Sequence, residues 1–140
     1  MKSMVVLIDT NVLFDYLLTR EDYESAKRVM DMCRTRERGV IAFHSLSIVW
    51  YVMRRIPDGK RRELMKKLLE IVDVTGTNKS AVVKAIQNEE FEDFEDCLQD
   101  ICAQEVNADY IITRNIRDYD KAKVPAILPE DWLRLLLSED

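Results

Sequence analysis

The sequence predicts an α/β fold, a three-layer sandwich in which helices cover both faces of a five-stranded, mostly parallel sheet. Three observations predict it. Short apolar runs alternate along the chain with longer segments of helical periodicity, an order that calls for right-handed crossovers between parallel strands. The first run, Met4 to Ile8, is apolar throughout, as strands covered on both faces are. Three prolines and three glycines in 140 residues leave no linker, repeat or low-complexity tract, so residues 1–140 read as one domain.

Taken in order, Met4 to Ile8 forms strand one and ends in Asp9, Thr10 and Asn11, polar residues that start helices well. Val12 to Leu18 continues as a short apolar helix. Tyr23 to Arg36 carries Ala26, Val29, Met30 and Cys33 at helical spacing, stopping at Gly39. Val40 to Phe43 is strand two. Ser45 to Met53 is almost wholly apolar and is expected to be a buried helix, whereas Asp58 to Val72 is amphipathic, with Leu64, Leu68 and Ile71 on one face. Ile71 to Val74 reads as strand three and Lys79 to Asn88 as a helix. Asp93 to Val106 is the clearest amphipathic helix, with Phe94, Cys97, Leu98, Ile101 and Cys102 as its stripe. Tyr110 to Thr113 and Ala126 to Leu128 are strands four and five. Pro129 then opens a last helix through Leu137, at a first-turn position where its missing N–H is harmless.

The composition, 47% hydrophobic and 34% charged, is that of a soluble globular protein. Cys33, Cys97 and Cys102 form no CxxC and are odd in number, so they read as reduced core thiols rather than a disulfide framework or zinc site. No apolar run is long enough to span a membrane and the amino end lacks a signal-peptide pattern, so the expected location is cytoplasmic with no membrane partner. A net charge of −5 argues against a simple basic nucleic-acid binder, but the charge is uneven. Arg54 to Lys67 holds seven basic residues against two acids, while Glu89 to Asp100 holds seven acids and no base.

Asp9 stands at the carboxyl end of the strand expected at the sheet centre, where α/β sheets gather their ligands. Capping a helix is the plain alternative for it. Asp93, Asp96 and Asp100 fall within about 60° of one another on one helix, and a solvated face is their plain alternative. Thr113, Arg114, Asn115 and Asp118 follow strand four, where an ordinary turn explains Asn and Asp. The topology brings all three groups to one crevice. Carboxylates gathered there repel one another unless a divalent cation compensates, and hard oxygen donors suit Mg²⁺ or Mn²⁺.

Ile8-Asp9-Thr10-Asn11-Val12-Leu13, Asp93-Phe94-Glu95-Asp96-Cys97-Leu98-Gln99, Thr113-Arg114-Asn115-Ile116-Arg117-Asp118-Tyr119 and Leu128-Pro129-Glu130-Asp131-Trp132-Leu133 together resemble the PIN domain, in order and spacing, over nearly the whole chain. The resemblance implies a five-stranded parallel sheet, binding of Mg²⁺ or Mn²⁺ through three or four acids, and cleavage of single-stranded RNA, notably in VapC-like toxins of toxin–antitoxin pairs. It implies catalytic metal-ligand roles for Asp9, Asp96 and Asp118, an auxiliary metal-ligand role for Asp93, and supporting roles for Thr10, Asn11, Thr113 and Asn115. It also implies an antitoxin partner, products bearing a 5′-phosphate and a 3′-hydroxyl, and a homodimer. Met30, Trp50, Tyr51 and Trp132 are the candidates for such an interface, with core packing as their default.

One departure stands out. Many PIN domains carry a glutamate in the first turns of the helix after strand two, where this chain has Ile48. The lone histidine, His44, lies near the expected crevice mouth, and Arg54, Arg55, Lys60, Arg61 and Arg62 are candidates for tracking an RNA backbone. A solvated helix face is the plain reading of those cations. The rival functional reading is a catalytically weakened PIN domain that binds RNA or a partner peptide. A haloacid-dehalogenase-type phosphohydrolase would need a second acid where Asn11 stands, and a receiver domain would need a phosphoacceptor at the end of strand three and a lysine after strand five, which Val74-Thr75 and Pro129 do not supply.

Overall fold

The computed structural model describes residues 3–138 and contains one five-stranded sheet in the order β3-β2-β1-β4-β5. The strands are β1 (Val5–Ile8), β2 (Arg38–Ala42), β3 (Asp73–Thr75), β4 (Tyr110–Ile112) and β5 (Ala126–Ile127), and every pairing among them is parallel. The expected sheet is thus present, and wholly rather than mostly parallel. β1 is central, paired with β2 on one side and β4 on the other, so the order reverses beside it. That switch point opens a crevice at the carboxyl end of β1.

Among the described residues seven α-helices flank the sheet, six between strands and one after β5: α1 (Thr10–Leu17), α2 (Tyr23–Thr35), α3 (Phe43–Val52), α4 (Asp58–Ile71), α5 (Lys79–Gln87), α6 (Phe94–Glu105) and α7 (Pro129–Ser138). Alternation along β1 separates the two faces of the sheet. Val6 and Ile8 join Val12, Val29, Leu68 and Trp132 in a core built with α1, α2, α4 and α7, while Leu7 joins Ala42, Cys102, Ala103 and Ile111 in a second core built with α6. Val6, Leu7 and Ile8 are all fully buried, which is why the run shows no polar alternation.

Several boundaries differ from the sequence reading for local reasons. α1 begins at Thr10 because the Asp9 side chain accepts from Thr10 N and caps the helix directly at the strand end. α4 holds its hydrogen bonds to Ile71, so the third strand starts at Asp73 rather than Ile71. Gly39 does not end α2 but sits in β2, where a Cβ would lie 2.7 Å from Cys33 Sγ; a side chain there is sterically excluded. The three cysteines are free and buried, and burial pushes the Cys33 thiol up to about 12.

Two expectations are corrected. The apolar helix after strand two is not buried throughout: only Ser45 and Val49 of α3 are, while Phe43 and Tyr51 are 69% and 64% exposed. Asp100 does not project with Asp93 and Asp96 into a common crevice. It is buried, and its carboxylate accepts from Lys123 N at 3.0 Å and Val124 N at 3.0 Å, closing the loop that leads into β5. Met30 and Trp132 are core residues, in keeping with their default. No helix among the described residues is long and apolar enough to cross a membrane.

Candidate metal centre

Asp9 is 4% exposed at the end of β1, and its carboxylate is oriented from three directions. Oδ1 accepts from Thr10 N at 2.8 Å and from Gln99 Nε2, reaching over from α6, at 2.9 Å. Oδ2 accepts from Thr113 Oγ1 at 2.8 Å and Asn11 Nδ2 at 3.3 Å. The capping and functional roles of Asp9 therefore coincide in one side chain. Asn11 Oδ1 accepts from Arg114 N at 3.1 Å, and Thr113 Oγ1 accepts from Asn115 N at 3.0 Å, so α1 and the segment after β4 are stitched together around the acid. Burial raises the Asp9 carboxyl above its usual range, and the Gln99 and Thr113 donors oppose that rise.

α6 supplies the next acids. Asp93 caps it, Oδ1 accepting from Glu95 N at 2.8 Å and Asp96 N at 3.2 Å, and this fixes the first turn in which Glu95 and Asp96 lie. Asp96 is buried and accepts from Tyr119 Oη at 3.3 Å. Its carboxyl is pushed up to about 7, first by burial and then by the charges of Asp9, Asp93, Glu95 and Asp118. Asp9, Glu95 and Asp96 each present one oxygen such that all three lie within 4.8 Å of one another. Among the described residues no lysine or arginine is paired with any of the three.

Those donors fit a divalent cation. They are hard oxygens, two of the three carboxylates are buried, and their mutual repulsion is what a doubly charged ion would relieve. Asp93 and Asp118 stand outside this triplet. Both line, with Asp96, Arg117, Asp120 and Lys121, an adjoining cleft of about 700 Å³, Asp118 from a short 3₁₀ turn at Ile116–Tyr119.

The remaining expected residues are spread more widely. Thr10 Oγ1 meets Ser45 Oγ at 3.2 Å and donates to Glu95 Oε1 at 3.2 Å, and His44 Nε2 lies 3.6 Å from the same Glu95 oxygen. Asn115 contributes through its backbone, its side chain being exposed. Ile48 is half-buried on α3. In the basic segment, the Arg61 and Arg62 guanidinium groups lie 3.8 Å and 5.3 Å from the centre of the Trp50 ring, and both pair with Asp58. Arg54 stacks on Tyr51, and Arg55 and Lys60 are exposed.

A family model for the PIN domain matches residues 5–117. The chain belongs to the PIN domain family. Solved structures agree with this PIN fold at low identity. VapBC-1 from nontypeable Haemophilus influenzae shares 18% identity and a TM-score of 0.69, covering 91% of this chain and 99% of that one. VapBC2 from Rickettsia felis, solved with a DNA fragment from its promoter, gives 13% and 0.67 over 89% and 98%. VapC20 from Mycobacterium tuberculosis, described as a sarcin-ricin loop cleaving toxin, gives 16% and 0.59 over 76% and 86%. No curated protein matches the chain.

Within this PIN domain, sequence reasoning assigned no role to Glu95, Gln99, Ser45 or Tyr119. Gln99 carried a signal, since it stands three residues after Asp96 and so shares its helix face. Tyr119 followed Asp118 in the quoted motif. Glu95 stood beside Asp96 in its motif, but neither it nor Ser45 showed its partner, Thr10, which is distant in sequence.

Proposed function

We propose that this PIN domain is a divalent-metal-dependent endoribonuclease that hydrolyses phosphodiester bonds of single-stranded RNA and serves as the toxin of a toxin–antitoxin pair. The observation that carries the reading is the meeting of Asp9 with Glu95 and Asp96 at the sheet's switch point, with oxygens within 4.8 Å and, among the described residues, no lysine or arginine paired with them. PIN domains are nucleases as a family, and VapC-type toxins are among the similar structures. The complexes from Haemophilus influenzae and Rickettsia felis support a protein antitoxin as partner.

Asp9, Asp96 and Asp118 would hold the ion, Mg²⁺ or Mn²⁺, with Asp93 auxiliary. When bound, such an ion supplies Lewis-acid and water-activating chemistry toward a phosphodiester. The chain's own residues prepare the site. Gln99, Thr113, Asn11 and Thr10 N fix both oxygens of Asp9, and Tyr119 orients Asp96. Arg117 and Lys121 line the acidic cleft and are positioned to receive phosphates there. Self-association through the exposed α3 face around Tyr51 completes the reading.

Incubation of the purified chain with labelled single-stranded RNA, in Mn²⁺ and in chelator, tests it. Cleavage confined to the metal-containing reaction, with 5′-phosphate products and loss in Asp9→Asn, is expected. RNA held equally in chelator and never cut would instead favour the binding-module reading that Ile48 suggests.

A further inference from the structure

We propose that Glu95 is a further carboxylate ligand of this centre beside Asp9 and Asp96, seated by Thr10 and His44, and that it takes the place of the glutamate expected at position 48. The inference rests on the metal-dependent reading above.

Ile48 offers no donor, yet α3 still reaches the centre through its first turn. Ser45 Oγ meets Thr10 Oγ1 at 3.2 Å, and His44 Nε2, shielded from solvent and without a hydrogen-bond partner, faces Glu95 Oε1 at 3.6 Å. Thr10 Oγ1 donates to that same oxygen at 3.2 Å. The helix that elsewhere would supply a carboxylate here supplies the residues around one.

An ordinary first-turn glutamate faces solvent, favoured by the helix dipole alone. Adjacent residues of a helix point about 100° apart, so Glu95 and Asp96 have no tendency to share a target. Glu95 nevertheless lies folded against Thr10 and His44, its side chain 34% exposed, with an oxygen within 4.8 Å of an oxygen of Asp9 and of Asp96. One hydroxyl and one imidazole approach the same oxygen, and a carboxylate has acceptor capacity to spare. Placing a third anion against two buried ones is unfavourable unless a cation joins them. Gln99 on the same helix donates to Asp9, so α6 contributes Glu95, Asp96 and the side chain that orients Asp9.

Calorimetric titration of the purified chain with Mn²⁺ alone tests this, alongside thermal melts with and without Mn²⁺. Glu95→Gln is isosteric and is expected to weaken Mn²⁺ affinity about tenfold or more and to shrink the Mn²⁺-induced rise in melting temperature. Its melting temperature in chelator should equal or exceed that of the wild type, because a like charge has gone. Glu89→Gln, an exposed acid outside the cleft, should bind as the wild type does. His44→Leu should lose affinity about threefold or more, with His44→Gln, which keeps an N–H, restoring it. Wild-type affinity in Glu95→Gln together with lost affinity in Asp9→Asn overturns the role of Glu95 and leaves the metal centre standing. Unchanged binding in Asp9→Asn, or none in the wild type, overturns both.

Discussion

Gln99 Nε2 donates to Asp9 Oδ1 at 2.9 Å, joining the middle of α6 to the carboxyl end of β1. Gln99 is fully buried, and the hydrogen bond holds the charged form of an acid that burial disfavours. Gln99→Met keeps the volume and removes the donor. Mn²⁺ affinity is expected to fall about 10- to 100-fold by calorimetry, the usual cost of losing a residue that orients a ligand, while the circular dichroism spectrum stays native.

Asp96 makes stability depend on pH. Its folded-state carboxyl titrates near 7, against an ordinary value of 3.8, because burial and neighbouring acids disfavour its charge. Between those values the folded chain holds a proton that the unfolded chain releases, so stability falls as pH rises from about 4 to about 7 and then levels. Asp96→Asn removes that penalty and leaves a carbonyl to accept from Tyr119. In chelator at pH 8 its melting temperature should exceed the wild type by at least about 3 °C, and the difference should vanish near pH 4.

Asp100 separates structure from chemistry on the same helix. Asp100→Ala orphans Lys123 N and Val124 N, which is expected to cost about 2–4 kcal/mol in urea unfolding. Mn²⁺ affinity of the folded variant should be unchanged, because the carboxylate serves the β5 loop and not the centre.

Arg114 clamps α1, α2 and α7 behind the site. It donates to both oxygens of Glu130 at 2.9 Å and to Ser25, and lies 3.6 Å from Asp15 and 3.5 Å from Asp22. Arg114→Met leaves the buried Asp15 carboxylate without its paired guanidinium and with only the charge of Arg20 nearby. Denaturant melts should show a loss of about 3 kcal/mol.

These contrasts show what the sequence could and could not disclose. The sheet and its centre were legible because Met4 to Ile8 is apolar at every position and the topology rules allow few alternatives. Asp9 was legible because a strand end at a switch point is a special place. Helical spacing grouped Asp100 with Asp96 but could not show that backbone N–H groups of the loop before β5 would claim it. The same rule hid Glu95, whose neighbour Asp96 points elsewhere on an ideal helix; Thr10 and His44 supply the reason it turns inward. α3 looked like core because periodicity reports apolarity, and exposed Phe43 and Tyr51 are apolar without being covered. Arg54 to Lys67 looked like a nucleic-acid patch, yet Asp58, Trp50 and Tyr51 engage three of its arginines locally.

A crystal structure of the chain grown or soaked in Mn²⁺ tests the metal centre most directly. At least one anomalous peak bonded to both Asp9 and Asp96 at the end of β1 is the predicted result. Density for Mn²⁺ only elsewhere on the surface, or none at saturating concentration, would contradict it.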